Sequence, residues 1–477
     1  MTQKTALLWF RQDLRLSDNP ALNHALDEGY AVLPVYILDD ENAGQWKRGG
    51  ASRWWLHESL KSLNDDLREH LVFRAGDASK VIHELIDETG AAAVFWNRCY
   101  EPWRIKRDEE IKSALKDNSI ETQSFNASLL WEPWTVSKDD GTPYKVFTPF
   151  YRKGCLKTDP PEPLERPARI TYADHNLDKG SLEDLKLLPD IKWYDVMEKV
   201  WTPGQDGAHA RLEEFLENGL SKYKEGRNRP DKDYVSRLSP HLHNGEISPR
   251  EAWYIAKDYA AANSVSEKDI DHFCSELGWR EFSYYLLYHF PKITWENLQE
   301  KFDAFPWDET ESEELARWQR GKTGIPIVDA GMRQLYAEGW MHNRVRMIVG
   351  SLLVKNLLIH WRKGEEWFWE TLVDADLGSN SASWQWVAGS GADAAPYFRI
   401  FNPLLQGEKF DPEGDYVRKY VPELKDMPKE FIHKPWDAGP LILQGAGVEL
   451  GENYPEPIVD LKASRERALE ALQSTKQ

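Results

Sequence analysis

Cysteine is scarce. Cys99, Cys155 and Cys274 are the only three in 477 residues. They are too few and too far apart for a disulfide framework, a four-cysteine zinc site or a four-cysteine iron–sulfur site. Long apolar runs are missing as well. The best stretch, Met347 to Ile359, is 13 residues long and is interrupted by Lys355 and Asn356, whereas a membrane-spanning helix needs about 20 apolar residues. The opening MTQKTALLWFRQDLR reaches charge too early for a secretory signal, so a cytoplasmic, reducing location is expected. No G-x-G-x-x-G follows the first apolar run and there is no P-loop, which removes the ordinary dinucleotide and ATP fingerprints. No His/Asp/Glu cluster has metal-ligand spacing, so no metal is expected, and His241 and His243 are expected to be solvated. Neither a nucleophile elbow nor a kinase motif is present.

Charge of one sign is in deficit. Sixty basic residues face 79 acidic ones, a net charge of -19. That disfavours unspecific binding to polyanions but leaves room for a local basic patch. With 41% hydrophobic and 29% charged residues, the chain is neither disordered nor a coiled coil. Tryptophan stands out at 22 copies, and the usual reason for so many indoles is core packing or stacking.

Residues 1–130 alternate apolar runs with amphipathic stretches. Strands are expected at 6–10, 31–37, 71–73, 92–96 and 121–125, and helices near 20–29, 52–69, 78–89 and 103–117. Such alternation implies a doubly wound parallel sheet covered on both faces, a Rossmann-like α/β domain whose ligands bind at the carboxyl ends of the strands. Residues 131–200 lose periodicity and read as a long linker, eight prolines falling between Pro133 and Pro189. Residues 201–477 read as an all-helical domain, with clear periods at 267–290, 325–338, 342–360 and 364–373 and a final helix near 462–473.

Several clusters could carry chemistry, and each has a plainer reading. Arg11, Asp13 and Arg15 follow the first strand and could hold a small ligand or close a salt-bridged strand end. Glu276, Trp279 and Arg280 share one helix face, which suits a flat polar ligand or an internal ion pair beside a packed indole. Asn343 and Met347 lie one turn apart, with Arg344 and Arg346 directed elsewhere. Asparagine can bond a base edge and methionine packs softly on rings; an ordinary amphipathic helix would look the same. Gly378, Ser379 and Asn380 mark an expected loop, with Ser381 or Ser383 capping the helix after it. Trp384 and Trp386, two residues apart, would then face opposite sides of that helix. VSRLSP, residues 235–240, offers hydroxyls, an arginine and backbone amides ahead of a helix expected from Pro240, an arrangement that can hold phosphate.

Taken in order, WFRQDLRLSDNPAL, TPYKVFTPF, SRLSP, ELGWREF, GKTGIPIVDAGMRQL, WMHNRVRM and SWQWVAGSGADAAPYFRIFNP resemble the signatures of the DNA photolyase/cryptochrome family. The resemblance runs along nearly the whole chain and is closest to bacterial class I cyclobutane pyrimidine dimer photolyases. It implies light-driven repair of cyclobutane pyrimidine dimers, with excited reduced FAD passing an electron to the dimer. The alternative within the family is a cryptochrome-type blue-light receptor without repair activity. The absence of a long signalling tail favours repair.

The resemblance also implies site residues. FAD would be held by Tyr223, Ser236, Arg237, Leu238, Ser239, Asp374, Asp376 and Arg346, with Arg346 paired to Asp374 and Asn380 facing the reactive ring nitrogen. Asparagine stands there instead of the aspartate of plant cryptochromes or the cysteine usual in animal ones, which points to repair. Val235 replaces a threonine found in many relatives. The dimer would be met by Glu276, Trp279, Asn343, Met347 and Trp386; relatives acting on the 6-4 photoproduct carry two histidines where Asn343 and Met347 stand. UV-damaged DNA would be gripped by Arg227, Arg280, Arg344 and Arg399, and flavin re-reduction would run through Trp384, Trp361 and Trp307. An antenna chromophore is expected near residues 97–108, methenyltetrahydrofolate ahead of deazaflavin, although Arg104 stands where folate-binding relatives often carry glutamate. A monomer with no protein partner is expected.

Overall fold

The computed structural model describes residues 3–393 and 398–475; residues 394–397 of the last signature lie outside the described residues. The chain divides into two compact units. One comprises residues 1–217, 236–291 and 373–378, the other 218–235, 292–372 and 379–477.

The first unit is built on a five-stranded parallel sheet: β1 (Thr5–Phe10), β2 (Ala31–Leu38), β3 (Val72–Ala75), β4 (Ala93–Asn97) and β5 (Glu121–Phe125), in spatial order β3-β2-β1-β4-β5. Alternation along the inner strands sends Leu8, Phe10, Val32, Tyr36 and Phe95 into one apolar layer. Leu7, Trp9, Leu33, Val35, Val94 and Trp96 go into the other. Burial on both faces is why these strands read as unbroken apolar runs. Pro34 is tolerated within β2 because β3 begins to pair only at Val35, so its missing N–H interrupts no ladder on that side. The flanking helices Pro20–Asp27, Gly50–Asp66, Ala78–Thr89 and Pro102–Asp117 lie within a few residues of the expected ranges. Helices Pro249–Ala262 and Glu267–His289 also belong to this unit. The former begins at a capping box, Ser248 and Glu251 bonding each other's main chain.

The second unit is helical. Helix Pro326–Glu338 packs on Asn343–Ser351 and Asp415–Tyr420, and Leu461–Ser474 packs on residues 352–356. The expected continuous helix over 342–360 is interrupted. Asn343–Ser351 runs into a π turn, Leu352–Asn356, and Leu358 then adopts a left-handed φ of 58°. Apolar periodicity persists through such a turn, so the sequence carries no mark of the break.

Two other expectations are corrected. Gly378, Ser379 and Asn380 are not a loop: they lie inside helix Leu377–Ala388. Glycine stands at 378 because a Cβ there would come within 3.3 Å of the Ser283 carbonyl. Residues that favour turns are thus used for close approach and side-chain bonding, and tertiary contacts override their local preference. His241 and His243 are not solvated. His241 is 1% and His243 6% exposed, His241 bonding the Glu246 carboxylate through Nδ1, an arrangement that satisfies polar groups no water reaches.

Candidate functional site

At the carboxyl end of β1, the first unit consumes its own charges. Arg11 pairs with Asp108, Asn97 donates to Asp13 at 2.6 Å, and Arg15 donates to the carbonyls of Ser17, Asp18, Ala127 and Gly245. Asp13 and Arg15 therefore close a strand end.

Beside them lies an open pocket lined by Trp9, Arg11, Tyr36, Asp39, Trp46, Arg48, Trp103, Arg104 and Arg107, among others. Arg107 pairs with Asp39 and Asp108. Arg48 is held by the neutral Asn244 amide oxygen at 3.0 Å. Burial, with Arg104 close by, pulls its guanidinium below its ordinary pKa. Trp9 Nε1 and Arg11 Nε are buried there without a hydrogen-bond partner among the described residues, while Arg104 Nε pairs with Glu101 at 3.4 Å. Aromatic walls and unspent donors suit a flat anion.

Elsewhere in this unit the SRLSP segment turns sharply at Arg237, whose φ is +52°. The helix after it begins at Ser239 and is short, Ser239–Asn244. The Ser239 hydroxyl donates to Asp374 Oδ2 at 2.6 Å, while Leu238 is buried and Ser236 and Arg237 are half-buried. Asp376 accepts the Tyr284 hydroxyl and sits 3.4 Å from His243 Nδ1. Burial opposes its ionisation, but His243, Arg280 and Tyr284 outweigh it and hold the carboxyl well below the usual carboxylate range. A carboxylate kept ionised in a buried place is a ready acceptor for ligand hydroxyl or N–H groups.

Helix Glu267–His289 presents Glu276, Trp279 and Arg280, all half-buried. Arg280 is turned inward, donating to the Ser128 carbonyl at 2.7 Å, with its guanidinium 4.9 Å from the Tyr284 ring. Trp279 lies against Phe147, ring centroids 3.8 Å apart. Neither Tyr284 nor Phe147 was expected in a functional setting. Tyr284 is two turns beyond Glu276 and looks like core, and Phe147 is masked by the proline-rich texture around it.

In the second unit, the amide of Asn380 donates to the Glu365 carbonyl at 3.1 Å, and Ser381 donates to the Glu365 carboxyl. Glu365 is 1% exposed, and no local pattern marked it. Trp384 and Trp386 do point to different surroundings: Trp384 is buried against Phe368, 5.0 Å between centroids, and Trp318, 6.2 Å, whereas Trp386 is half-buried. Trp361 is fully buried and donates Nε1 to Asn297 at 3.0 Å. His360 lies 5.5 Å from the Trp361 ring and 5.7 Å from the ring of the half-buried Trp307. Burial lowers the His360 pKa, so this imidazole is neutral at pH 7.

Asn343 is exposed at the start of its helix, and Met347 is half-buried one turn on. Arg344 donates to Asn228 Oδ1 and lies 4.5 Å from the Phe410 ring. Burial, with Arg227 and Arg399 nearby, lowers its pKa. Three arginines repelling one another across a partly buried surface favour a polyanion. Arg227 lies 6.0 Å from the buried ring of Tyr223. Arg346 donates Nε to the Met341 carbonyl at 2.8 Å. Among the described residues no cluster could hold a metal ion and no helix is long and apolar enough to cross a membrane.

Residues 6–168 match the family model "DNA photolyase", and residues 273–474 match "FAD binding domain of DNA photolyase". The chain belongs to the DNA photolyase/cryptochrome family. A deoxyribodipyrimidine photo-lyase of Agrobacterium fabrum is 49% identical, covering 100% of this chain and 99% of the relative. Cryptochrome-2 of Arabidopsis thaliana is 39% identical over 99% of this chain and 79% of its own length. The solved structure of a bacterial class III photolyase from Agrobacterium tumefaciens superposes with a TM-score of 0.96 at 48% identity, covering 100% of this chain and 98% of that one. These matches do not separate the expected class I placement from class III. The fold class expected from the motifs, a parallel-sheet domain followed by a helical FAD-binding domain, is the one observed.

The residues above fit FAD chemically. The aspartate kept ionised at 376 offers an acceptor to nucleotide hydroxyls, and the amide at 380, whose N–H is already committed, offers no acid to a ring nitrogen.

Proposed function

We propose that this chain is a deoxyribodipyrimidine photo-lyase that repairs cyclobutane pyrimidine dimers in DNA under blue light. One observation carries the reading: 49% identity along the whole chain with a photo-lyase of that name. The site chemistry agrees with it. FAD, when bound, supplies the light-excited electron donor. Ser236, Arg237, Leu238, Ser239, Asp374, Asp376, Tyr223, Arg346 and Asn380 are the residues that would hold it.

The protein's own part is to place charge and exclude water. Trp279 and Trp386 offer indole faces for the fused bases, each stack worth about 1–3 kcal/mol in single-strand binders. The Glu276 carboxyl bonds the pyrimidine edge and shares a proton as negative charge develops on the dimer. Asn343 bonds the neighbouring edge, and Met347 packs beside it. Arg227, Arg344 and Arg399 grip backbone phosphates and position the strand. Arg280 works inward, sustaining the charge of Asp376. Trp384, Trp361 and Trp307 return electrons to the cofactor from the surface, with the His360 ring near the last two.

The pocket beside Trp9 and Arg48 takes the antenna chromophore. Its cations suit the carboxylates of methenyltetrahydrofolate or, second, the acidic ring of a deazaflavin. The protein acts as a monomer in the cytoplasm.

The test is a thymine-dimer oligonucleotide incubated with FAD-loaded, reduced protein in blue light and in darkness. Dimers lost only in the light support the reading. Dimers that persist while the flavin photoreduces normally turn it toward a cryptochrome-type receptor, the kind of relative represented by Arabidopsis thaliana Cryptochrome-2.

A further inference from the structure

The segment TPYKVFTPF, residues 142–150, is one of the signatures, and it meets the site described above through Phe147. Its Phe147 ring lies face to face with the Trp279 indole, with centroids 3.8 Å and planes 12° apart. Tyr151 is nearly parallel to Phe147, at 5.5 Å and 9°. Phe282 meets both Phe147 and Trp279 edge-on, at 6.0 and 5.9 Å. The helix approaches this segment so closely because residue 278 is glycine; a Cβ there would sit 2.6 Å from the Tyr151 ring. Phe147 is 8% exposed, whereas Trp279 is half-buried. The covered face of the indole is therefore its inner one.

We infer that Phe147 is a positioning residue for lesion recognition. Its ring, with Tyr151 alongside, occupies one face of Trp279 and presents the other at a fixed tilt to a pyrimidine of the damaged strand. The inference rests on the reading that Trp279 stacks on the dimer. An indole held in place before binding loses less side-chain freedom when a base arrives, which tightens the complex without adding a contact to it. Parallel rings at this separation also restrain each other beyond simple burial.

Phe147→Leu keeps the apolar bulk and removes the flat ring; Phe147→Met does the same with a more adaptable chain. Dark binding of a thymine-dimer oligonucleotide and of its undamaged counterpart is measured on FAD-loaded protein, together with near-ultraviolet circular dichroism. Both variants are expected to weaken lesion binding by about three- to tenfold, the worth of one aromatic pair. Undamaged-strand affinity and FAD content should stay unchanged, the aromatic dichroism should fall, and Phe147→Tyr should restore all of these. In a Trp279→Ala background, Phe147→Leu should have no further effect.

Normal lesion affinity in either folded variant overturns the inference while leaving the role of Trp279 standing. So does an equal loss on damaged and undamaged strands, or an undiminished loss in the Trp279→Ala background. Normal lesion affinity in Trp279→Ala alone instead removes the stacking role itself, and the inference with it.

Discussion

The side-chain amide of Asn380 donates to the backbone carbonyl of Glu365 at 3.1 Å. This bond fixes which way the amide lies. The next residue, Ser381, donates to the carboxyl of the same glutamate. Two consecutive side chains thus bond one buried residue, and the carboxyl of Glu365 is held as an acid: burial raises its pKa to about 8.

A raised carboxyl pKa has a definite sign. The folded protein keeps the Glu365 proton where the unfolded chain has lost it, so this group lowers stability progressively as pH rises from about 4.5 to about 8. Glu365→Gln removes the proton and keeps a neutral partner for Ser381. Its melting temperature should gain on the parent across that window and run parallel to it above. A constant offset at all pH values would contradict a protonated Glu365.

Glu251 has the opposite sign. Burial opposes its charge, but His209, Arg15 and the Ser248 amide outweigh that and lower its pKa to about 2. Its contribution is complete above about pH 4.5 and is lost as pH falls toward 2, on the order of 3 kcal/mol in all. Glu251→Gln should flatten the acid limb of the denaturation profile, read by circular dichroism between pH 5 and 2. An acid limb as steep as the parent's would count against the ionised cap.

Trp384 is packed so that a Cβ on Gly364 would come within 2.1 Å of its ring. Gly364→Ala should therefore displace the indole and cost about 1–3 kcal/mol of stability, as overpacking does. Trp384→Phe should stop photoreduction of the flavin yet spare dimer repair by chemically reduced protein. Equal loss in both assays would exclude a relay role for Trp384.

Arg344, with Arg227 and Arg399 near it, should act through phosphate. Arg344→Ala is expected to weaken DNA binding alike for all sequences and to reduce the slope of log affinity against log salt by about one. An unchanged slope, measured by titration from low to moderate salt, would remove it from the phosphate rim.

Glu276→Ala should lower the repair yield per photon several-fold while FAD content, read from the flavin absorbance ratio, stays normal. Unaltered yield would mean that the carboxyl does not touch the dimer.

Much of this molecule was legible in order and type. The unbroken apolar strands announced a parallel sheet because burial on both faces demands them, and the spacing of Glu276, Trp279 and Arg280 placed all three on one helix. Other residues carried no such mark. Glu365 and Ser381 look like ordinary helical polar positions until their bond is seen, and His241 and His243 look like solvated polar residues until Glu246 and Asp376 are found beside them.

The sequence by itself determined the layered fold, the family and the kinds of side chain at hand, because strand and helix periods and signature motifs are properties of near neighbours. Only the tertiary structure decided that Gly378 to Asn380 would coil into a helix, that Arg280 would turn inward to Tyr284, and that Phe147 would lie flat on Trp279. Those outcomes depend on close approach between segments distant along the chain, where one missing Cβ or one shared proton outweighs local preference.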